Sequence, residues 1–268
     1  MKLLVVGCVE VDAGKTTFTT GLIERTGVRG YKPRAGNDYW YDQEDYRRAV
    51  EEGRLYGTDA KKIAAANDGS VRPEAINPIH RLWLPTPGRG NGVLGRDGRR
   101  FLFDRITAGS DAYVVNGTAE IPPAATRAFP LSEAERIESL PELNELMATR
   151  HARALEELTA EIESRGSAIV ESYADIARPL ADFQPDAVAV VEPRRCRVYD
   201  GDRYANACEV AGGSAYEGRL EERVEHVIEL LEPRASVTLP ALSSEERDDP
   251  SIVADAYGDA YDELLAAV

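Results

Sequence analysis

The chain has 268 residues, of which 32 are Lys or Arg and 47 are Asp or Glu, a formal charge of −15. So acidic a protein is excluded as a non-specific binder of nucleic acid or anionic membrane, because both need basic surface. With 43% hydrophobic and 29% charged residues, it has the composition of a folded domain with a substantial core, not of a disordered tail.

Residues 3–6, Leu-Leu-Val-Val, are a short continuous apolar run, the pattern of a central parallel strand buried on both faces. A glycine-containing loop follows, and Lys15 to about Arg25 suit a helix. Gly-Val-Arg-Gly-Tyr-Lys-Pro at 27–33 reads as a turn into a second short strand. Residues 42–53 and 58–67 read as helices, the second opened by a Thr58 or Asp59 cap. The Gly- and Pro-rich stretch 85–98 reads as loop. A hairpin is expected around 96–98, with Val93-Leu94 on one arm and Phe101-Leu102-Phe103 on the other. Residues 111–121 add a strand. A long helix is predicted over 141–165, with Leu143, Met147, Leu155, Leu158 and Ile162 on one face and Gly166 at its end. Buried strands follow at 168–170 and 187–191, and 197–204 around Asp200-Gly201 reads as a hairpin. Helices at about 217–232 and 250–266 flank a strand at 236–239. Strands alternating with helices predict an α/β fold with a doubly wound, mostly parallel sheet. The simplest organisation is a single domain over 1–268, with 86–130 as an insertion carrying the hairpin.

The chemistry concentrates in the loop Gly7-Cys8-Val9-Glu10-Val11-Asp12-Ala13-Gly14-Lys15-Thr16-Thr17, between the first strand and the first helix. In a P-loop the backbone N–H groups wrap a polyphosphate and a lysine neutralises the β/γ oxygens. A Ser/Thr hydroxyl binds Mg²⁺, and the helix N-terminus adds its dipole. Val11, Asp12, Ala13, Gly14, Lys15, Thr16 and Thr17 are therefore the expected nucleotide contacts, with Thr16 on the metal. The usual GxxxxGK[ST] pattern would put glycine at position 9, where this chain has Val9.

Cys8 to Thr16, CVEVDAGKT, resembles the modified P-loop of dethiobiotin synthetase, whose pattern is GTDTxVGKT. Further segments match that family in the same order. Gly30-Tyr31-Lys32-Pro33 is similar to its second-strand GYKP, which implies that Lys32 reaches the phosphates and the substrate carbamate. Gly57-Thr58-Asp59-Ala60 is similar to a Ser-Asp-Ala segment, which implies that Asp59 helps hold Mg²⁺. Ile169-Val170-Glu171, followed by Arg178-Pro179-Leu180, is similar to the family's VEGAGG and TPL, which implies that Glu171 serves the metal. Asn77-Pro78 matches a family Asn-Pro, and Gly36-Asn37-Asp38-Tyr39 resembles the Gly-Pro-Asp-Tyr of cobyrinic acid a,c-diamide synthases. The chain departs from the pattern at Cys8, at Val11 in place of a substrate-facing threonine, and at Ser172-Tyr173-Ala174-Asp175 in place of Gly-Ala-Gly-Gly. The resemblance implies a P-loop NTPase type of sheet and a homodimer.

Each residue has a plainer reading beside this one. Lys32 also reads as a solvated strand-end lysine, Glu171 as a structural ion-pair acid, Asp59 as a helix cap, and Asp12 as a turn residue. Lys15, Lys32 and Asp12 are the candidate catalytic groups; Thr16, Asp59 and Glu171 are the candidate metal ligands. Only five lysines occur among the 32 basic residues, and two of them fall at these phosphate-facing positions. Arg89, Arg96, Arg99, Arg100 and Arg105 form either an exposed hairpin or a lid that clamps an acidic substrate.

Two functions follow. One is an ATP- and Mg²⁺-dependent ligase that activates a carboxylate or carbamate by phosphorylation so that a nucleophile can form a C–N bond. The other is a nucleotide-operated switch, an ATPase or GTPase acting on a protein partner. The expected partners are a nucleoside triphosphate and an acidic small molecule, with no nucleic acid and no membrane. No run approaches the roughly 18–20 apolar residues of a membrane span, and the opening residues do not suit a signal peptide. Three cysteines without a CxxC suit a reducing cytoplasm.

Overall fold

The computed structural model describes residues 1–8, 14–67, 70–86, 94–96, 98–211 and 222–268. The chain begins with β1 (Lys2–Val6), α1 (Lys15–Thr26), β2 (Gly30–Tyr31), β3 (Arg34–Asp38), α2 (Gln43–Glu52), α3 (Thr58–Asn67) and α4 (Pro73–Ile76). There follow β4 (Ile79–Pro85), β5 (Gly95–Arg96), β6 (Arg99–Ala108), β7 (Ser110–Asn116), α5 (Pro123–Ala128), β8 (Glu135–Ile137) and α6 (Leu140–Leu146). A π-helical turn (Met147–His151) leads into α7 (Ala152–Arg165), β9 (Ala168–Glu171), β10 (Ala187–Glu192), β11 (Arg195–Asp200) and α8 (Gly201–Ala211). The last elements are α9 (Val224–Ile228), β12 (Ala235–Thr238), α10 (Ser244–Arg247), α11 (Pro250–Ala256) and α12 (Gly258–Leu265). The fold class is α/β with mixed sheets. No helix among the described residues is long and apolar enough to cross a membrane.

The chain divides into two compact units. The first comprises Met1–Pro33, Lys62–Val71 and Thr159–Val268, the second Arg34–Lys61 and Arg72–Leu158. The first unit holds a six-stranded sheet in the order β12-β11-β10-β1-β9-β2, in which β10, β1, β9 and β2 are parallel and β11 and β12 antiparallel. Leu3, Leu4, Val5 and Val6 are all buried, as a strand flanked by parallel neighbours requires. α1 packs tightly at Gly21, where a Cβ would lie 2.5 Å from the Tyr261 hydroxyl and 2.6 Å from Val253. That hydroxyl donates to the Phe18 carbonyl at 2.9 Å, fixing α1 against α12.

The second unit has its own sheet in the order β3-β4-β6-β7-β8, with β5 paired to β6. Along β7, Tyr113 and Val115 enter one apolar cluster and Val114 the other, so this sheet is covered on both faces. Residues 86–130, where described, belong to this unit, together with the earlier strands β3 and β4.

Several elements differ from the sequence reading. The hairpin assigned to Asp200-Gly201 turns instead at Pro193-Arg194, between β10 and β11, with Arg194 at φ +67°. Gly201 opens α8, because a Cβ there would stand 1.8 Å from the Pro185 carbonyl oxygen. The helix expected over 141–165 contains a π-helical turn, and the one expected over 250–266 breaks at Tyr257 into α11 and α12. The helix expected at 217–232 is α9 over Val224–Ile228, its first residues lying outside the described ones. The hairpin near 96–98 is present as β5 and β6, with Phe101 N–H bonded to the Leu94 carbonyl at 3.1 Å; Val93 and Asp97 lie outside the described residues.

Candidate functional site

Parallel register brings the candidate residues to one edge of the first sheet. Val5 is level with Glu171, and Tyr31 is level with Val170, so Lys32, one residue beyond β2, falls beside Glu171. This is the carboxyl edge of the strands, where open α/β sheets bind ligands. α1 starts at the same edge. Its N-cap, Gly14, has φ +82°, a left-handed conformation suited to glycine. The first amides of such a helix lack intrahelical acceptors and carry its positive dipole end.

Three side chains meet here. The Lys32 ammonium donates to Glu171 Oε1 at 2.5 Å, and both groups are buried, with side-chain exposures of 4% and 0%. The Thr16 hydroxyl donates to the same oxygen at 2.8 Å. The other oxygen, Oε2, is buried and has no hydrogen-bond partner among the described residues. A buried carboxylate oxygen with nothing to accept from is a costly group unless a ligand or cation completes it. Lys15, also buried, donates to the Ala174 carbonyl at 2.7 Å. Ala174 has φ +49°, a left-handed conformation that costs a residue with a Cβ about 1–2 kcal/mol. Nearby, Arg197 donates to Cys8 Sγ at 3.7 Å, while burial and Glu192 push the Cys8 thiol up.

The donor set suits a small hard cation. Glu171 Oε2 and the Thr16 hydroxyl would offer it oxygen donors, and no group of three or more His, Cys, Asp or Glu that could hold a metal occurs among the described residues. Few protein ligands, with phosphate oxygens and water making up the remainder, is how Mg²⁺ is usually held.

Lys15, Thr16, Lys32 and Glu171 are thus brought together in one unit, with Thr17 in the first turn of α1. Val11, Asp12 and Ala13 lie outside the described residues, as does Arg89. Asp59 belongs to the second unit, exposed in the first turn of α3. Arg105 is not on an exposed lid: it is fully buried, donating to the carbonyls of Leu55 at 2.7 Å and Asn77 at 2.6 Å. Arg99 lies over Trp83, 5.1 Å from the ring centroid.

In the second unit the structure gathers polar residues whose association the sequence did not reveal. Asp45 accepts from the Thr58 amide at 2.8 Å and hydroxyl at 2.5 Å, and from Asn37 at 2.7 Å. His80 is fully buried, its Nδ1 3.3 Å from Asn77 Oδ1 and its Nε2 without a hydrogen-bond partner among the described residues. Burial and Arg105 bring its pKa down to about 3, so the ring is neutral. Burial alone would raise the Asp104 carboxyl, but Arg81 and His151, at 2.6 and 3.0 Å, hold it down to about 2. The carbonyl of Ala174 was likewise missed as a partner for Lys15, since a left-handed alanine leaves no mark in sequence.

Comparison of the chain with protein-family models, with curated proteins and with solved structures finds no match.

Proposed function

We propose that the chain is a P-loop protein that binds a magnesium nucleoside triphosphate at the carboxyl edge of its first sheet and transfers the terminal phosphoryl group. The observation that carries this reading is the meeting of Lys15, Thr16, Lys32 and Glu171 at the start of α1, where one buried carboxylate oxygen has no hydrogen-bond partner among the described residues. Thr16 and Glu171 would hold Mg²⁺, which when bound offsets phosphate charge. The α1 amides bind phosphate oxygens, and Lys15 stabilises charge that grows on the β/γ oxygens. Lys32, held beside Glu171, would orient the acceptor group. The acceptor that fits the resemblance is a carboxylate or carbamate, activated for C–N bond formation by an amine, with ATP as donor. In this reading the protein is a doubly wound ligase of the dethiobiotin synthetase kind, acting as a homodimer in the cytoplasm.

A second reading has a specific observation in its favour. Ser172, Ala174 and Asp175 stand where the resembled family has glycines that would admit an organic substrate, and Ala174 holds Lys15 through its carbonyl. That arrangement suits a nucleotide-operated switch acting on a protein partner. Titration calorimetry with Mg-ATP tests what the two readings share: Lys15→Ala is expected to abolish a binding heat that the unaltered protein shows. Equal binding by both proteins refutes the P-loop assignment. Stimulation of ATP hydrolysis by small carboxylates or amines then favours the ligase, and its absence the switch.

A further inference from the structure

We propose that the loop from Ser172 to Ala177 senses whether Lys15 holds a phosphate, and transmits that state to the segment Glu222–Val224 at the start of α9. The inference rests on the nucleotide-binding reading of Lys15 and on neither of its two chemical outcomes.

The loop has two attachments, separated by one to three residues. At one end the Ala174 carbonyl accepts from the Lys15 ammonium at 2.7 Å, and Ala174 is held in a left-handed conformation. At the other end the loop is clipped to the chain that leads into α9. The Ala177 amide donates to the Glu222 carbonyl at 2.7 Å, and the Val224 amide donates to the Asp175 carbonyl at 2.8 Å. Ile176 and Arg223 form an antiparallel bridge between these two bonds, and Arg223 pairs with the buried Asp175 carboxylate at 3.5 Å.

Within the loop, the Ser172 hydroxyl donates to the Ile176 carbonyl at 2.5 Å, and the Ile176 amide donates to the Tyr173 carbonyl at 3.1 Å. Ser172 itself is anchored to β1 through the Val5 carbonyl at 2.9 Å. The loop is therefore short, internally bonded and fixed at its start, so a change at Ala174 is passed towards Asp175 and Ile176. A phosphate at the start of α1 draws the Lys15 ammonium off the Ala174 carbonyl. The carbonyl then loses the partner that holds a left-handed alanine in place, and the residue relaxes. Its neighbour Asp175 carries both the carbonyl and the carboxylate that grip Arg223 and Val224, so relaxation loosens the clip.

Hydrogen–deuterium exchange on the full chain tests this, with Mg-ADP and a non-hydrolysable Mg-ATP analogue as probes and calorimetry in parallel. Binding is expected to raise exchange at least threefold in peptides covering 173–178 and 222–228, while 195–200 in β11 stays unchanged. Arg223→Ala is expected to bind nucleotide within twofold of the unaltered protein and to show the raised exchange at 222–228 without nucleotide. Measurable binding with unchanged or lowered exchange at 222–228 overturns the coupling and leaves the nucleotide site standing. A wild-type baseline in Arg223→Ala overturns it as well. No binding heat for either probe overturns the nucleotide reading of Lys15 and this inference with it.

Discussion

Lys32→Met removes the only described cation bonded to Glu171 without shortening the side chain greatly. At 2.5 Å and an effective dielectric near 20, the attraction of the pair is about 6–7 kcal/mol. Desolvation of two ions with exposures of 4% and 0% costs several kcal/mol each, so the intact pair contributes little net stability. Removing Lys32 alone forfeits the attraction yet leaves the Glu171 carboxylate buried, with Thr16 as its remaining donor. The expected loss is about 3–5 kcal/mol, a large share of the roughly 5–15 kcal/mol typical of a folded domain. Lys32→Met combined with Glu171→Leu removes both charges, and the double variant is expected within about 2 kcal/mol of the unaltered protein. Urea denaturation at neutral pH without nucleotide measures all three. A single variant that loses less than about 1 kcal/mol, or a double variant less stable than the single one, refutes the view of this pair as a mutually compensated buried charge.

Two further outcomes follow from the same reasoning. His80 titrates at about 3 in the native state against an ordinary 6.5, so between those values the unfolded chain binds a proton that the native chain does not. Stability therefore falls as pH falls through this window, by up to about 1.4 kcal/mol per pH unit. His80→Asn should flatten the pH dependence of denaturation between pH 6 and 4.5, and an unchanged slope contradicts the assignment. Gly201→Ala drives a Cβ into the Pro185 carbonyl, a backbone atom that cannot swing aside. It is expected to cost about 2–3 kcal/mol or more by thermal denaturation, and a loss under about 0.5 kcal/mol would show that the β10–α8 approach is looser than described.

What the residues reveal unaided is the part of the fold built from local pattern. Leu3–Val6, Lys15 at a helix start, and the apolar run ending in Glu171 can each be read from a few neighbours, and parallel pairing then brings them to one edge. β3 is different. Its sequence Arg-Ala-Gly-Asn-Asp has little strand preference, and it exists because β4 pairs with it, with Gly36 allowing the Arg81 carbonyl to come close. The hairpin β5–β6 and β7 are legible in sequence, whereas β3, which pairs with β4 to extend that sheet, is not. Asp200-Gly201 shows the opposite failure: a pair with strong turn chemistry is used to begin a helix, because tertiary contact with Pro185 demands glycine there. The turn falls to Pro193-Arg194, where an arginine accepts a conformation that local rules reserve for glycine or asparagine. At the site, the ion pair of Lys32 and Glu171 follows from strand order, whereas the grip of Ala174 on Lys15 depends on one backbone torsion.

The pairing of β1 also sets an order of events during synthesis. Lys2 aligns with Ala168 and Leu3 with Ala187, so β1 has no neighbour in its sheet until about 165 further residues have been translated. At ribosomal rates of about 5–20 residues per second, that interval is roughly 10–30 s. For that time Leu3–Val6 form an exposed, strand-forming segment without a gatekeeping proline, while residues 72–158 already contain a contiguous part of the second unit. β1, level with Glu171 at the edge where Lys32 and Thr16 meet it, is thus paired only after residues 168–190 have been made.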